Sequence, residues 1–111
     1  MRRCRRMWFR FRGVRLLQTC WLQSIEIPRN HSDVELHDAV ALDRGVTLLC
    51  TGAATDVARI RIGRGTYINR HTMLDASEQI QIGADCMIGP FCYITDHDHG
   101  MENGIPIKNQ H

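Results

Sequence analysis

The sequence is short of aromatics, which make up 6% of its 111 residues, and it holds only three prolines. No apolar run approaches the about twenty residues that a membrane-spanning helix requires. The uncharged stretch from Leu16 to Ile25 is interrupted by Gln18, Thr19, Gln23 and Ser24, too short and too polar for a secretion signal. Five cysteines (Cys4, Cys20, Cys50, Cys86 and Cys92) are odd in number and include no C-x-x-C pair. That usage excludes a disulfide framework or a zinc cage and fits reduced thiols in the cytoplasm, the expected compartment. A P-loop, a nucleophile elbow and a dinucleotide-binding glycine fingerprint are all missing, and with them the chemistries they serve.

Acidic residues are missing from one region only. Residues 1–15 carry seven arginines (2, 3, 5, 6, 10, 12 and 15) and no acid, whereas the rest of the chain is acidic on balance. Such an arm suits phosphates or an anionic lipid surface. No aromatic-plus-basic recognition module follows it, so nucleic acid is not an expected partner. Residues 1–24 are expected to form a basic N-terminal extension, its start a solvated tail. The 43% hydrophobic and 23% charged composition places the remainder, residues 25–111, in one small folded domain.

What organises that domain is a period of six. Aliphatic or small residues fall at Leu42, Leu48 and Ala54, at Ile62, Ile68 and Leu74, and at Ile82, Ile88 and Ile94, each trio starting twenty residues after the last. Val46, Thr66, Thr72, Cys86 and Cys92 stand four places after many of these, and Gly63, Gly83 and Gly89 follow three of them. An α-helix wants apolar spacings of three and four. A hairpin sheet wants Asn-Gly or Asp-Gly turns, and none lies between these runs. A step of six fits an all-β parallel solenoid of triangular section, three hexads to a coil, with aliphatics stacked inside and small residues near the corners. On this reading Cys86 and Cys92 are core residues.

The segments Ile62-Gly63-Arg64-Gly65-Thr66-Tyr67-Ile68-Asn69 and Ile82-Gly83-Ala84-Asp85-Cys86-Met87-Ile88-Gly89-Pro90, continuing to Asp96-His97-Asp98-His99-Gly100, resemble the hexapeptide-repeat acyltransferases. The similarity is greatest to the maltose, galactoside and surface-polysaccharide sugar O-acetyltransferases, over residues 60–108. The resemblance implies a left-handed parallel β-helix, usually a homotrimer, that moves acetyl from acetyl-CoA to a sugar hydroxyl with no permanently bound cofactor and no acyl-enzyme. It further implies more coils, including a Trp-Ile-Gly hexad, beyond the residues present, so the chain is expected to be truncated at its C-terminal side. An inactive β-helix fragment or structural subunit is the alternative reading.

After Ile94 the hexads give way to a polar segment. Attack of a hydroxyl on a thioester needs a base, and histidine titrates near neutral pH. His99 occupies the position where the resembling enzymes carry that base. His97 is the second candidate and suits a substrate-binding or loop-structuring role. Asp96 and Asp98 are candidates to orient an imidazole, or are ordinary turn acids. Asn69 matches an asparagine of the family that contacts the acceptor. The family's acidic acceptor-binding residue falls on Ser77, with Asp75 nearby. His71 occupies an exposed-type position. A lesser reading is a γ-class carbonic anhydrase, whose zinc would need His71, His97 and His99; the His-x-His spacing suits it poorly. No metal site is expected.

Overall fold

The computed structural model describes residues 2–17, 19–55 and 57–97. Among these the chain is mostly strand. One helix, α1 (Arg2–Arg12), precedes β1 (Arg15–Leu16), β2 (Trp21–Leu22), a single 3-10 turn (His31–Asp33), β3 (Val34–Leu36), β4 (Ala41–Leu42) and β5 (Thr47–Cys50). Then come β6 (Ile60–Ile62), β7 (Tyr67–Ile68), β8 (Met73–Ala76), β9 (Ile80–Ile82), β10 (Met87–Ile88) and β11 (Tyr93–Thr95). No helix of the described residues is long and apolar enough to cross a membrane.

The strands assemble into three wholly parallel sheets, ordered β1-β3-β6-β9, β2-β4-β7-β10 and β5-β8-β11. The chain visits them in fixed rotation, so each circuit lays one strand on each sheet. Glu26 joins the third sheet by a bridge to Thr47 and supplies the missing strand of the first circuit. Strands this short alternate one inward and one outward residue. Leu36, Leu42, Leu48, Ile62, Ile68 and Leu74 are fully buried between the sheets, with Val34, Val40, Val46 and Ile60. Each such aliphatic contributes about 1.5–3 kcal/mol on leaving water.

Between strands the chain turns in two residues, and the second of the pair is left-handed. Ala39, Gly45, Gly65, His71, Asp85 and Phe91 all have positive φ at equivalent corners. Glycine is at ease there, whereas a β-carbon costs about 1–2 kcal/mol. Stacking compensates at one corner column. The rings of His71 and Phe91 lie 5.1 Å apart and 20° from parallel. His71 is exposed, as its position predicts.

Three expectations need correction. The first trio is one hexad out of place: Leu42 pairs beside Ile68 and Leu36 beside Ile62, while Ala54 is exposed. The circuits repeat at twenty residues from β1 to β3 and from β6 to β9, but at twenty-six from β3 to β6. The six additional residues form a loop between β5 and β6. Adding six leaves a six-residue period unbroken, which is why the pattern hides it.

The second correction concerns residues 1–24. They are not an extension outside the sheets, because β1 and β2 already belong to the first circuit and Val14, Leu16, Cys20 and Leu22 are buried. Nor is the arginine-rich start a solvated tail; α1 docks Phe9 against the core. Third, Cys86 is exposed and Cys92 only half-buried. They stand at inward-type positions, but on the last described circuit, where no further described strand covers them.

Candidate active site

The polar residues expected near the end of the repeat gather on the outer side of the third sheet. Asp75 sits in the middle of β8, and its neighbours Leu74 and Ala76 point into the core, so its side chain faces outward. It is nonetheless buried. Tyr93 and Thr95 of β11 cover it: the Tyr93 hydroxyl donates to Asp75 Oδ2 at 2.6 Å, and the Thr95 hydroxyl donates to the Asp75 carbonyl at 2.9 Å. The bond to Asp75 is the main reason that the Tyr93 phenol titrates above its ordinary value. Asp75 Oδ1 is buried and has no hydrogen-bond partner among the described residues.

His97 follows β11 and folds back over this group. Its Nε2 lies 3.5 Å from Asp75 Oδ2, and its Nδ1 lies 3.0 Å from Thr95 Oγ1 and 3.2 Å from Asp96 Oδ1. The Thr95 proton is already directed at Asp75, so the threonine oxygen accepts and His97 Nδ1 donates.

Asp96 does a different job. Its carboxylate accepts the backbone N–H groups of Ser77, Glu78 and Gln79 at 2.8, 2.7 and 2.5 Å and the Ser77 hydroxyl at 3.2 Å. Burial pushes its pKa up, but these amides and His97 more than offset that and hold it down at about 2. Asp96 thus braces the corner that connects β8 to β9. Ser77, whose carbonyl also accepts from Arg59 at 3.0 Å, belongs to the same brace.

Four of the candidates therefore converge: Asp75, Ser77, Asp96 and His97. Asn69 does not join them. It precedes β8 at the opposite end of that strand, where its side-chain oxygen accepts the Arg70 N–H at 2.7 Å. His71 shares that far corner, apart from His97. His99 and Asp98 lie outside the described residues. No group of three metal-ligating side chains occurs among the described residues.

Sequence reasoning missed Tyr93 and Thr95. Their signal was their position, since they flank inward Ile94 and stand one circuit after Met73 and Asp75. It also missed Asp33 and Arg59, a buried ion pair of 2.6 Å. Arg59 donates further to the carbonyls of Thr51, Ala53 and Ser77. Thr55 donates to Asp33 from both its backbone N–H and its hydroxyl. Together they pin the inserted loop and connect it to the corner under Asp96.

No protein family, no curated protein and no solved structure matches the chain.

Proposed function

We propose that the three-sheet circuit is a left-handed parallel β-helix of the hexapeptide-repeat type and that the chain is a sugar O-acetyltransferase using acetyl-CoA. The observation that carries this reading is the Asp75–His97 arrangement. Among the described residues a buried carboxylate oxygen, Asp75 Oδ1, lacks a donor where the polar segment leaves the last described strand. An unmet buried acceptor costs about 1–3 kcal/mol, and a sugar hydroxyl that reaches it by displacing a covering side chain is a donor of the right chemistry to meet it.

In this mechanism Asp75 accepts a hydrogen bond from the acceptor sugar, and Tyr93 and Thr95 fix the carboxylate. His97, held between Asp75 and Asp96, helps to bind the acceptor sugar. His99 is the general base: it takes the acceptor proton as the oxygen attacks the acetyl carbonyl carbon. The tetrahedral intermediate collapses, the C–S bond breaks, and the CoA thiolate takes the proton that His99 had removed, which restores the base. No acyl-enzyme forms. On this reading the enzyme is a cytoplasmic homotrimer in which Asn69 contacts the acceptor sugar.

The test incubates purified protein with acetyl-CoA and a panel of sugars and follows thiol release. His99→Ala should lower kcat by about 10²–10⁴-fold, the contribution of general-base catalysis, while His97→Ala should keep most of kcat and raise KM for the sugar. Absence of sugar-dependent release across the panel, with no CoA binding by calorimetry, would end the enzyme reading.

One observation favours the second reading, an inactive structural subunit. Ile82, Ile88 and Ile94 on the last described circuit are only partly buried, and β9, β10 and β11 are the outermost described strands of their sheets. A scaffold stacked through that face would fold and assemble yet bind no CoA.

A further inference from the structure

Helix α1 turns its apolar side away from the protein. Met7, Trp8 and Phe11 are 64%, 54% and 84% exposed, whereas Phe9 is 7% exposed and packed into the core. At about 100° per residue, Met7, Trp8 and Phe11 fall within one stripe about 100° wide, and Phe9 lies beyond its edge. Phe9 anchors the helix by stacking on His31, with ring centroids 6.5 Å apart. The Arg10 side chain ties it to the Leu16 carbonyl at 3.0 Å. Next to the stripe, the Arg12 guanidinium sits 5.4 Å from the Trp8 ring centre. Leu17, just after β1, is also exposed.

We propose that α1 is an interfacial anchor that docks the protein on an anionic lipid bilayer. Two properties select that occupant. An exposed Trp-Phe-Met stripe inserts among headgroups and upper acyl chains, where an indole is at home. Seven arginines without an acid in residues 1–15 match a negatively charged leaflet, each contributing while within a Debye length of it. A second copy of α1 would bring like charge against like. Nucleic acid would meet the arginines but leave the stripe in water. The acidic balance of the remaining chain orients the molecule with α1 toward the lipid. α1 packs on β1 and β2, in the first circuit, so the face bearing His97 on the last described circuit stays clear of the surface. The proposal is independent of acyl transfer.

The experiment uses the full chain carrying Trp21→Phe, which leaves Trp8 as the one tryptophan. Vesicles of mixed phosphatidylglycerol and phosphatidylcholine should sediment the protein and shift Trp8 emission to the blue. Pure phosphatidylcholine vesicles should bind about tenfold or more weakly, and raising salt to about 0.5 M should weaken the anionic binding. Trp8→Ser combined with Phe11→Ser should abolish sedimentation while the circular dichroism spectrum of the sheets is unchanged. The proposal is overturned by equal binding to neutral vesicles, by an unshifted Trp8 spectrum, or by full binding of the double-serine variant. A stable dimer lost in that variant, or tight duplex DNA binding with no Trp8 shift on vesicles, equally overturns it.

Discussion

Arg59 donates through Nε to Asp33 Oδ2 at 2.6 Å, a bond between residues one circuit apart and both buried. It brings together the 3-10 turn before β3, the inserted loop and the β8–β9 corner, since the same guanidinium reaches Ser77. Burying two charges is costly, and this pair persists because nearly every polar atom in it has a partner. Removing one partner therefore strands the other. Arg59→Ala should lower unfolding free energy by about 3–5 kcal/mol. In urea denaturation the double variant Asp33→Leu/Arg59→Met should cost less than the two single changes added together. An Arg59→Ala loss below about 1 kcal/mol would contradict the structural role given to the pair.

Acid should act on the same region. The folded-state pKa of Asp96 is about 2 against 3.8 for the free side chain, because the Ser77, Glu78 and Gln79 amides and His97 outweigh the effect of burial. Asp33 is also depressed, its bonds to Arg59 and Thr55 overcoming burial. A depressed carboxylate stabilises above its unfolded value and loses that contribution as pH falls through the folded one. Stability should hold above 3.8 and decline toward about 2. Asp96→Asn should flatten that decline in acid titrations followed by circular dichroism; an unchanged slope counts against the brace.

Two glycines one circuit apart should respond differently to alanine. A β-carbon on Gly63 would lie 2.7 Å from the Gly83 carbonyl carbon and 2.8 Å from the Ala84 nitrogen, both backbone atoms. On Gly83, among the described residues, it would meet only Cys86 Sγ, at 3.8 Å. Gly63→Ala should cost about 1–3 kcal/mol in thermal or chemical unfolding, the range for overpacking. Gly83→Ala should be neutral or stabilising by up to about 1 kcal/mol through the unfolded state. Equal responses would mean that the circuits are not stacked at this corner.

The cysteines should separate by reactivity. Burial pushes the Cys50 thiol up to about 11 despite the nearby Arg59, so it has almost no thiolate at neutral pH. Cys86 is exposed. Native-state alkylation read by mass spectrometry should modify Cys86 well before Cys50 or buried Cys20. Rapid labelling of Cys50 would show that the β5 edge opens readily.

Much of the core was legible because the hexad period marks inward positions directly. Leu42, Leu48, Ile62, Ile68 and Leu74 are all buried. The candidate site was legible in part. The polar residues around Ile94 and Asp75 do gather, but Asp96 and Ser77 turn out to bond each other and the corner amides. Tyr93 and Thr95 carried no chemical signature of their own, since an outward tyrosine and threonine on a strand are ordinary until the neighbouring circuit places a carboxylate beside them. Asp33 and Arg59 were silent for the same reason.

The amino-acid order alone decided which side of each short strand is dry, since a strand's alternation and the six-residue step are local properties. It also fixed the charge asymmetry between the first fifteen residues and the rest. Only the tertiary structure decided which hexad lies on which. A pattern that repeats every six residues is unchanged by a slip of six, and hydrogen bonding between circuits resolves that degeneracy by setting Leu42 beside Ile68. It likewise decided that α1 faces its apolar stripe outward, because burying Phe9 against the first circuit leaves Met7, Trp8 and Phe11 on the other side.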